Sequence, residues 1–140
     1  MAMSINRNQQ HYIIMTVVYN ELNDFVMGGG KTFRDARELI SELCEQPYDE
    51  VDDFIKVSVS ATLQNYGAIK TAFEPFLRNW KWDRLPLLTQ TILLMSYAHF
   101  YYVEKVDKKV VINTAVSLAK KYIEEKQAKF INAILDGVLK

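Results

Sequence analysis

The stretch from Leu87 to Tyr102 constrains the fold most, because it would be apolar on nearly every side of a helix. A helix with no polar face needs neighbours all around it, so it belongs in the middle of a bundle. Pro86 suits the first turn of this helix, where a missing amide hydrogen costs no backbone hydrogen bond. The apolar side chains of the stretch include Leu87, Leu88, Ile92, Leu93, Leu94, Met95, Tyr97 and Phe100.

Helical periodicity recurs on both sides of this stretch, with apolar residues three and four positions apart. The other segments run from about Asn6 to Phe25, from Thr32 to Pro47, from Asp49 to Leu63, from Ala68 to Arg78, and through two helices within Val110–Leu139. Residues 57–60 alternate as a strand does, but helical periodicity flanks them and we interpret them as helix. The sequence predicts an all-α bundle of about seven helices, formed as a single domain by residues 1–140.

Short signals between these segments predict where the helices begin and end. Glycines 28–30 end the first helix, because glycine takes backbone angles that helices do not. Thr32 with Asp35 resembles a capping box for the second helix. Asp49 is a suitable cap for the third helix. Phe76 is expected to be buried together with the rest of the fourth helix.

The charge of the chain is balanced overall but unevenly distributed. The formal net charge is zero, so there is no global attraction to nucleic acid. Residues 101–140 hold eight lysines against five acids, and residues 31–80 hold six basic residues against nine acids. This difference is compatible with a polyanion site near the C-terminal end, and equally with chance scatter.

Several signals for other functions are too incomplete to support them. Gly30-Lys31-Thr32 resembles the end of a phosphate-binding loop, but the required earlier glycine is replaced by Phe25 and no strand precedes it. The two histidines and Cys44 form no metal-ligand pattern. We therefore predict no enzyme, no metal and no cofactor. The single cysteine and the lack of a long apolar run or signal peptide favour a cytoplasmic protein without a membrane segment.

The last third of the chain carries two motifs that resemble a known family. Residues 112–120 read INTAVSLAK, and residues 129–136 read KFINAILD. These segments resemble the C-terminal signature of the NusB family of transcription antitermination factors, although Thr114 replaces the usual Glu and Ala133 the usual Gly. The likeness extends back through Asn79-Trp80 to Tyr19. The family's motif residues are matched here by Tyr19, Asn113, Phe130, Asn132 and Asp136.

The resemblance implies a seven-helix NusB-like bundle that binds boxA-type single-stranded RNA together with the ribosomal protein NusE. That complex acts on RNA polymerase within an antitermination assembly. Tyr12 or Tyr122 is suited to stacking on an unpaired base, although core packing is the favoured explanation of either tyrosine. The RNA contacts implied for this chain are Arg7, Asn8, His11, Lys120, Lys121 and Lys129.

One departure from the family leaves a second hypothesis open. Where the family has an arginine-rich start to its first helix, this chain reads RNQQH from Arg7 to His11, with a single arginine. The alternative is a NusB-fold interaction module that has lost most RNA binding and keeps NusE or a second copy of itself as its partner. Aromatic residues are favoured at such interfaces, and the residues predicted to meet the partner are His99, Tyr101 and Tyr102.

Overall fold

The computed structural model describes residues 5–140, which form seven α-helices and no strand. This confirms the predicted all-α bundle. In chain order the helices are α1 (Arg7–Met27), α2 (Arg37–Cys44), α3 (Asp53–Gln64), α4 (Tyr66–Phe73), α5 (Leu87–Ala98), α6 (Lys108–Tyr122) and α7 (Glu125–Val138). Within residues 5–140, no helix is long and apolar enough to cross a bilayer.

Helix α5 is the buried centre of the bundle, as its composition predicts. Every residue from Thr89 to Ser96 is buried, and α1, α3, α4, α6 and α7 all pack against this helix. The hydroxyls of its two buried threonines are satisfied internally: the Thr91 hydroxyl donates to the Leu87 carbonyl at 2.8 Å, and the Thr89 hydroxyl donates to Gln127 of α7 at 2.9 Å. A fully enclosed helix can therefore carry polar residues without leaving those hydroxyls unpaired.

Two of the predicted helix caps are wrong, namely Thr32 with Asp35 for α2 and Asp49 for α3. Helix α2 begins at Arg37 rather than near Thr32. Asp35 accepts from the Arg37 amide at 3.0 Å, and the Arg37 Nε lies 3.0 Å from each of its carboxylate oxygens. Asp49 lies in a short 3-10 turn, Tyr48–Glu50. The cap of α3 is Asp52, whose side chain accepts from the Phe54 amide at 2.8 Å.

Helix α4 is shorter than predicted and leaves Phe76 exposed. It ends at Phe73, and a 3-10 turn, Glu74–Phe76, follows. Pro75 lies within that turn and has no amide hydrogen to continue the α-helical hydrogen bonds. The Phe76 side chain is consequently 42% exposed rather than buried, and it packs on Gly137 of α7.

The C-terminal motifs form a closely packed helix pair, α6 and α7. Small residues of α6, Ala115 and Ala119, are fully buried and allow the two helices to approach closely. The pair is tied at its open end by Lys108, whose Nζ lies 3.2 Å from Asp136 Oδ1 and donates to the Asp136 carbonyl at 2.7 Å. The motif residue Asp136 therefore has a structural role, because its contact with Lys108 joins the last turn of α7 to the start of α6.

Candidate nucleic-acid interface

A groove of about 530 Å³ runs between the first turns of α1 and the outer face of α6. Asn6 fixes the start of α1 through a reciprocal cap, in which its side chain accepts from the Gln9 amide at 2.8 Å and its own amide donates to Gln9 Oε1 at 2.9 Å. The groove thus has one wall from each end of the chain. Its lining residues are Asn8, Gln9, His11, Tyr12, Asn113, Thr114, Ser117, Leu118, Lys121 and Tyr122.

A pair of tyrosines, Tyr12 of α1 and Tyr122 of α6, lies in this groove with ring centroids 5.3 Å apart and a tilt of 40°. Both rings reach solvent, with 43% and 36% of their surface exposed. The Lys121 ammonium lies 5.4 Å from the Tyr122 ring centroid. Exposed aromatic rings beside a cation are the combination that binds unpaired bases and their phosphates, so the core-packing alternative does not describe these tyrosines.

Arg7, the only arginine of the predicted RNA stretch, makes contacts with other side chains of the bundle. Its guanidinium carbon lies 3.6 Å from the centre of the Phe54 ring, and its Nη1 lies 3.3 Å from Glu104 Oε1. The side chain remains half exposed. Arg7 therefore directly precedes the groove-lining Asn8 in the chain, with part of its charge already compensated by a carboxylate.

The two histidines lie beneath Arg7 rather than at the surface. His11 and His99 are each 7% exposed, with ring centroids 5.7 Å apart, and both pack edge-on against Phe54. Burial, with help from His99 and Arg7, lowers the pKa of His11 from 6.5 to about 4. Burial likewise lowers the pKa of His99, although Glu104 Oε2 at 3.5 Å acts against it. Neutral buried rings support the groove floor and offer no charge to RNA at neutral pH.

Only part of the predicted lysine strip belongs to the groove. Lys121 lines it, whereas Lys120 lies on the next position of α6 with its Nζ 3.9 Å from Glu125 Oε1. Lys129 is exposed on α7 and does not line the groove. Asn113 lines the groove, so the first C-terminal motif contributes directly to its wall, while the exposed Asn132 of the second motif lies outside.

The predicted partner residues divide between the interior and the surface. A π-helical turn, His99–Val103, follows α5. It directs His99 inward, whereas Tyr101 and Tyr102 are 42% and 43% exposed. The Tyr101 hydroxyl lies 3.1 Å from the Lys140 amide, which donates to it, so this turn also holds the end of the chain. The burial of His99 removes it from the exposed set that we predicted to meet a partner.

The weak signals for other chemistry find no support in the described residues. Gly30, Lys31 and Thr32 lie in an exposed loop after α1, with Gly30 at φ 74°, and no strand precedes them. Cys44 is buried, and burial raises the pKa of its thiol. Across residues 5–140, no group of three or more His, Cys, Asp or Glu side chains is placed to hold a metal ion.

Two residues that hold Arg7 at the start of α1 are not among those that the sequence predicts for the site. Phe54 and Glu104 both contact Arg7, and Glu104 is 97 positions away from it along the chain. Although its partial burial acts to raise the pKa of Glu104, Arg7 and His99 hold that pKa below its ordinary value. No local pattern links residues so far apart, and only the folded bundle brings them together.

Comparison with known families gives one consistent match. Residues 12–140 match the model described as the NusB family, so the match begins after the Arg7–His11 stretch. The transcription antitermination protein NusB of Listeria welshimeri is 34% identical over 90 residues, covering 64% of this chain and 70% of that protein. The NusB of an Exiguobacterium species is 36% identical over 92 residues, covering 66% and 72%.

Solved structures share the same fold at lower sequence identity. NusB of T. maritima superposes with a TM-score of 0.78 at 17% identity, covering 98% of this chain and 92% of that one. The NusB of a complex of the antitermination factors NusB and NusE with double-stranded RNA gives 0.70 at 20% identity, covering 94% and 96%. The solution structure of Aquifex aeolicus NusB gives 0.70 at 23% identity, covering 95% and 88%.

Proposed function

This chain belongs to the NusB family, and on that premise we propose that it is a transcription antitermination factor that binds boxA-type single-stranded RNA together with ribosomal protein NusE. Relatives that are identical at about a third of the aligned 90 to 92 residues are named for antitermination. A NusB of the same fold has been solved with NusE and RNA. None of these names describes a catalysed reaction, and we propose no enzymatic activity.

The observation that carries the proposal is the groove between α1 and α6. It combines two exposed tyrosine rings, the amides of Asn8 and Asn113, and the ammonium of Lys121. Unpaired bases stack on aromatic rings, amides hydrogen-bond their edges, and a lysine neutralises phosphate. A single strand whose bases can splay out fits this set of groups better than a rigid duplex does.

We assign the partner surface to the π-helical turn after α5. Tyr101 and Tyr102 are half exposed there, next to the partly buried Tyr97 at 4.6 and 6.1 Å between ring centroids. Aromatic clusters of this kind are enriched where proteins meet. We propose NusE as the occupant, within an antitermination complex on RNA polymerase. A second copy of this chain is the competing occupant, and a role on nascent RNA would place the protein in the cytoplasm.

One observation favours the second candidate function, an interaction module with little RNA binding. The N-terminal stretch has a single arginine, and that arginine already contacts Glu104 and Phe54. Fewer free cations release fewer counterions, so RNA affinity depends less on salt and is weaker overall. Under this alternative NusE binding is retained and the groove contributes little.

The deciding experiment is fluorescence anisotropy of a short boxA-like RNA titrated with the chain, alone and with purified NusE, at two salt concentrations. Antitermination function predicts salt-sensitive binding that strengthens with NusE. Lys121→Ala should lower the slope of log affinity against log salt by about one, while Lys126→Ala, a lysine outside the groove lining, serves as the matched control. A NusE complex that forms without any RNA binding supports the module instead.

A further inference from the structure

We propose that the loop Arg78–Arg84, which we term the tryptophan loop, is a second contact for single-stranded RNA, built around the exposed indole of Trp80. This inference rests on the proposed function, because RNA is the ligand in both cases. Trp80 is 59% exposed, one of the largest exposures among the large hydrophobic side chains of the described residues. Beside it lies a cavity of about 290 Å³, lined by Lys70, Glu74, Leu77, Trp80, Lys81, Trp82 and Asp83.

The exposed indole is presented by a well-anchored loop. Trp82, two residues on, is 1% exposed and stacks on the buried Phe73 at 5.8 Å between ring centroids. A 3-10 turn follows, and Gln90 of α5 donates to the carbonyls of Trp82 and Leu85 at 3.1 and 3.0 Å. Because the loop is held from beneath, Trp80 is offered to solvent without a large loss of loop entropy on binding.

The loop also carries three exposed cations that no carboxylate compensates. Arg78, Lys81 and Arg84 are exposed, and none of them pairs with a carboxylate among residues 5–140. Of the nearby acids, Asp83 is engaged by Lys70 at 3.6 Å, and Glu74 lines the cavity. By contrast, three cations around α2 and α3 have carboxylate partners: Arg34 with Asp24, Arg37 with Asp35, and Lys56 with Asp53.

An exposed aromatic ring flanked by unpaired cations is the arrangement with which proteins hold unpaired nucleic acid without reading its sequence. Bases stack on the ring whatever their identity, and the cations follow the backbone phosphates. The tryptophan loop should therefore add affinity for RNA but little sequence preference. Its charge pattern disfavours a basic partner protein segment.

The tryptophan loop is spatially separate from the groove. It precedes the first turn of α5, whereas the groove lies over His11, which contacts His99 just after the last turn of α5. The twelve residues of α5 place these two ends roughly 18 Å apart along the helix axis. A stacked strand covers about 3.4 Å per nucleotide, so about 5 nucleotides cover less than this distance, while a longer strand can reach both sites.

The test compares RNAs of about 5 and about 16 nucleotides, lengths within the range that single-strand binding sites cover, on the full chain and on Trp80→Ala and Trp80→Phe. We expect Trp80→Ala to weaken binding of the longer RNA about tenfold and Trp80→Phe to keep most of it, since phenylalanine also stacks. The shorter boxA-like RNA, held in the groove, should bind all three proteins alike. Unchanged binding of the longer RNA by Trp80→Ala overturns the proposal.

Tryptophan fluorescence supplies an independent reading of the same contact. The chain has two tryptophans, one exposed and one buried, so the longer RNA should quench the wild type and leave Trp80→Phe nearly unchanged. If Trp80→Ala loses NusE binding rather than RNA binding, the loop is a protein surface and the inference is wrong. If Trp80→Ala affects neither and the groove still binds RNA, only this inference fails. Failure of both RNAs to bind the wild type removes the proposed function as well.

Discussion

The two walls of the groove are built from similar residue types but use their charges differently. At the start of α1, next to the groove lining, Arg7 contacts Phe54 and Glu104, and the lining residue His11 is buried and neutral beneath it. On the α6 wall, Lys121 pairs with no carboxylate among the described residues and shares the groove with Asn113. Arg7 and His11 thus make contacts within the fold, whereas the Lys121 ammonium on the α6 wall remains available to a ligand.

If the groove binds RNA as proposed, this difference explains how it does so with a single arginine at the start of α1. A charge compensated by a neighbouring carboxylate releases few counterions when phosphate arrives, whereas an uncompensated ammonium releases its full share. The α1 wall therefore supplies shape and a tyrosine ring, and the α6 wall supplies the charge. On this view the C-terminal motif carries more of the RNA affinity than the N-terminal stretch does.

The largest effect should follow from removing the ring on which the α1 wall rests. Phe54 is 9% exposed and contacts Arg7, His11 and His99. Phe54→Ala should lower the free energy of unfolding by about 3–5 kcal/mol, because it leaves a cavity under both histidines. Urea denaturation measures the change. Val57→Ala, on the exposed face of the same helix, is the control and should shift stability by less than about 0.5 kcal/mol.

Acid should weaken the α1 wall next most strongly. In the unfolded chain His11 takes up its proton as the pH falls through 6.5, but the folded chain resists until about pH 4. The contribution of His11 to the free energy of unfolding is therefore fully present above pH 6.5. It decreases as the pH falls toward 4, by roughly 3 kcal/mol for one such group. The lowered pKa of His99 acts in the same direction.

Unfolding measured from pH 7.5 down to 4 checks this slope. His11→Phe keeps an aromatic ring on Phe54 but has no titrating group, so it should flatten the decline between pH 6.5 and 4. Asn113→Ala, a change on the exposed α6 wall, should leave the slope as it is in the wild type. An equally steep decline in His11→Phe would assign the acid sensitivity to other groups.

The tyrosine pair links the two walls and should matter most for RNA itself. Tyr122→Ala removes a ring exposed in the groove, and loss of one base-stacking contact should weaken binding of boxA-like RNA by about tenfold, or about 1.4 kcal/mol. Tyr122→Phe retains the ring and should bind within about twofold of the wild type, because stacking does not need the hydroxyl. Anisotropy titration measures both, and equal losses in the two variants would point to the hydroxyl instead of the ring.

The walls also differ in how far the sequence alone predicts them. Helix α5 and the α6–α7 pair follow from apolar periodicity. Asn113 lies within the motif of residues 112–120 and Lys121 directly follows it on the same helix, so local pattern is sufficient for the α6 wall. The burial of His11 depends on Phe54 and His99, which come from α3 and the turn after α5. Neither helix periodicity nor charge counting reports contacts between such distant segments. The predicted start of α2 near Thr32 is wrong, although Asp35 does accept from a first-turn amide, that of Arg37.

The smallest and most specific effect concerns Glu104, the carboxylate that holds Arg7. Glu104→Gln removes a partner that lies 3.3 Å from the guanidinium and leaves Arg7 free to meet phosphate. Because exposed ion pairs are worth about 0–1 kcal/mol, the gain in RNA affinity should be no more than about fivefold. The slope of log affinity against log salt should steepen by about one, since one more cation then releases its counterion.

A double-mutant cycle separates this release from a general loss of negative charge. In the wild type, Arg7→Ala should change RNA affinity by less than about twofold, because its charge is compensated. In the Glu104→Gln background the same substitution should remove the whole gain. Glu125→Gln, which loses a carboxylate near Lys120 instead, should produce no such coupling with Arg7. If Arg7→Ala is as damaging in the wild type as in Glu104→Gln, then both walls supply charge to RNA, and the division of labour between them is wrong.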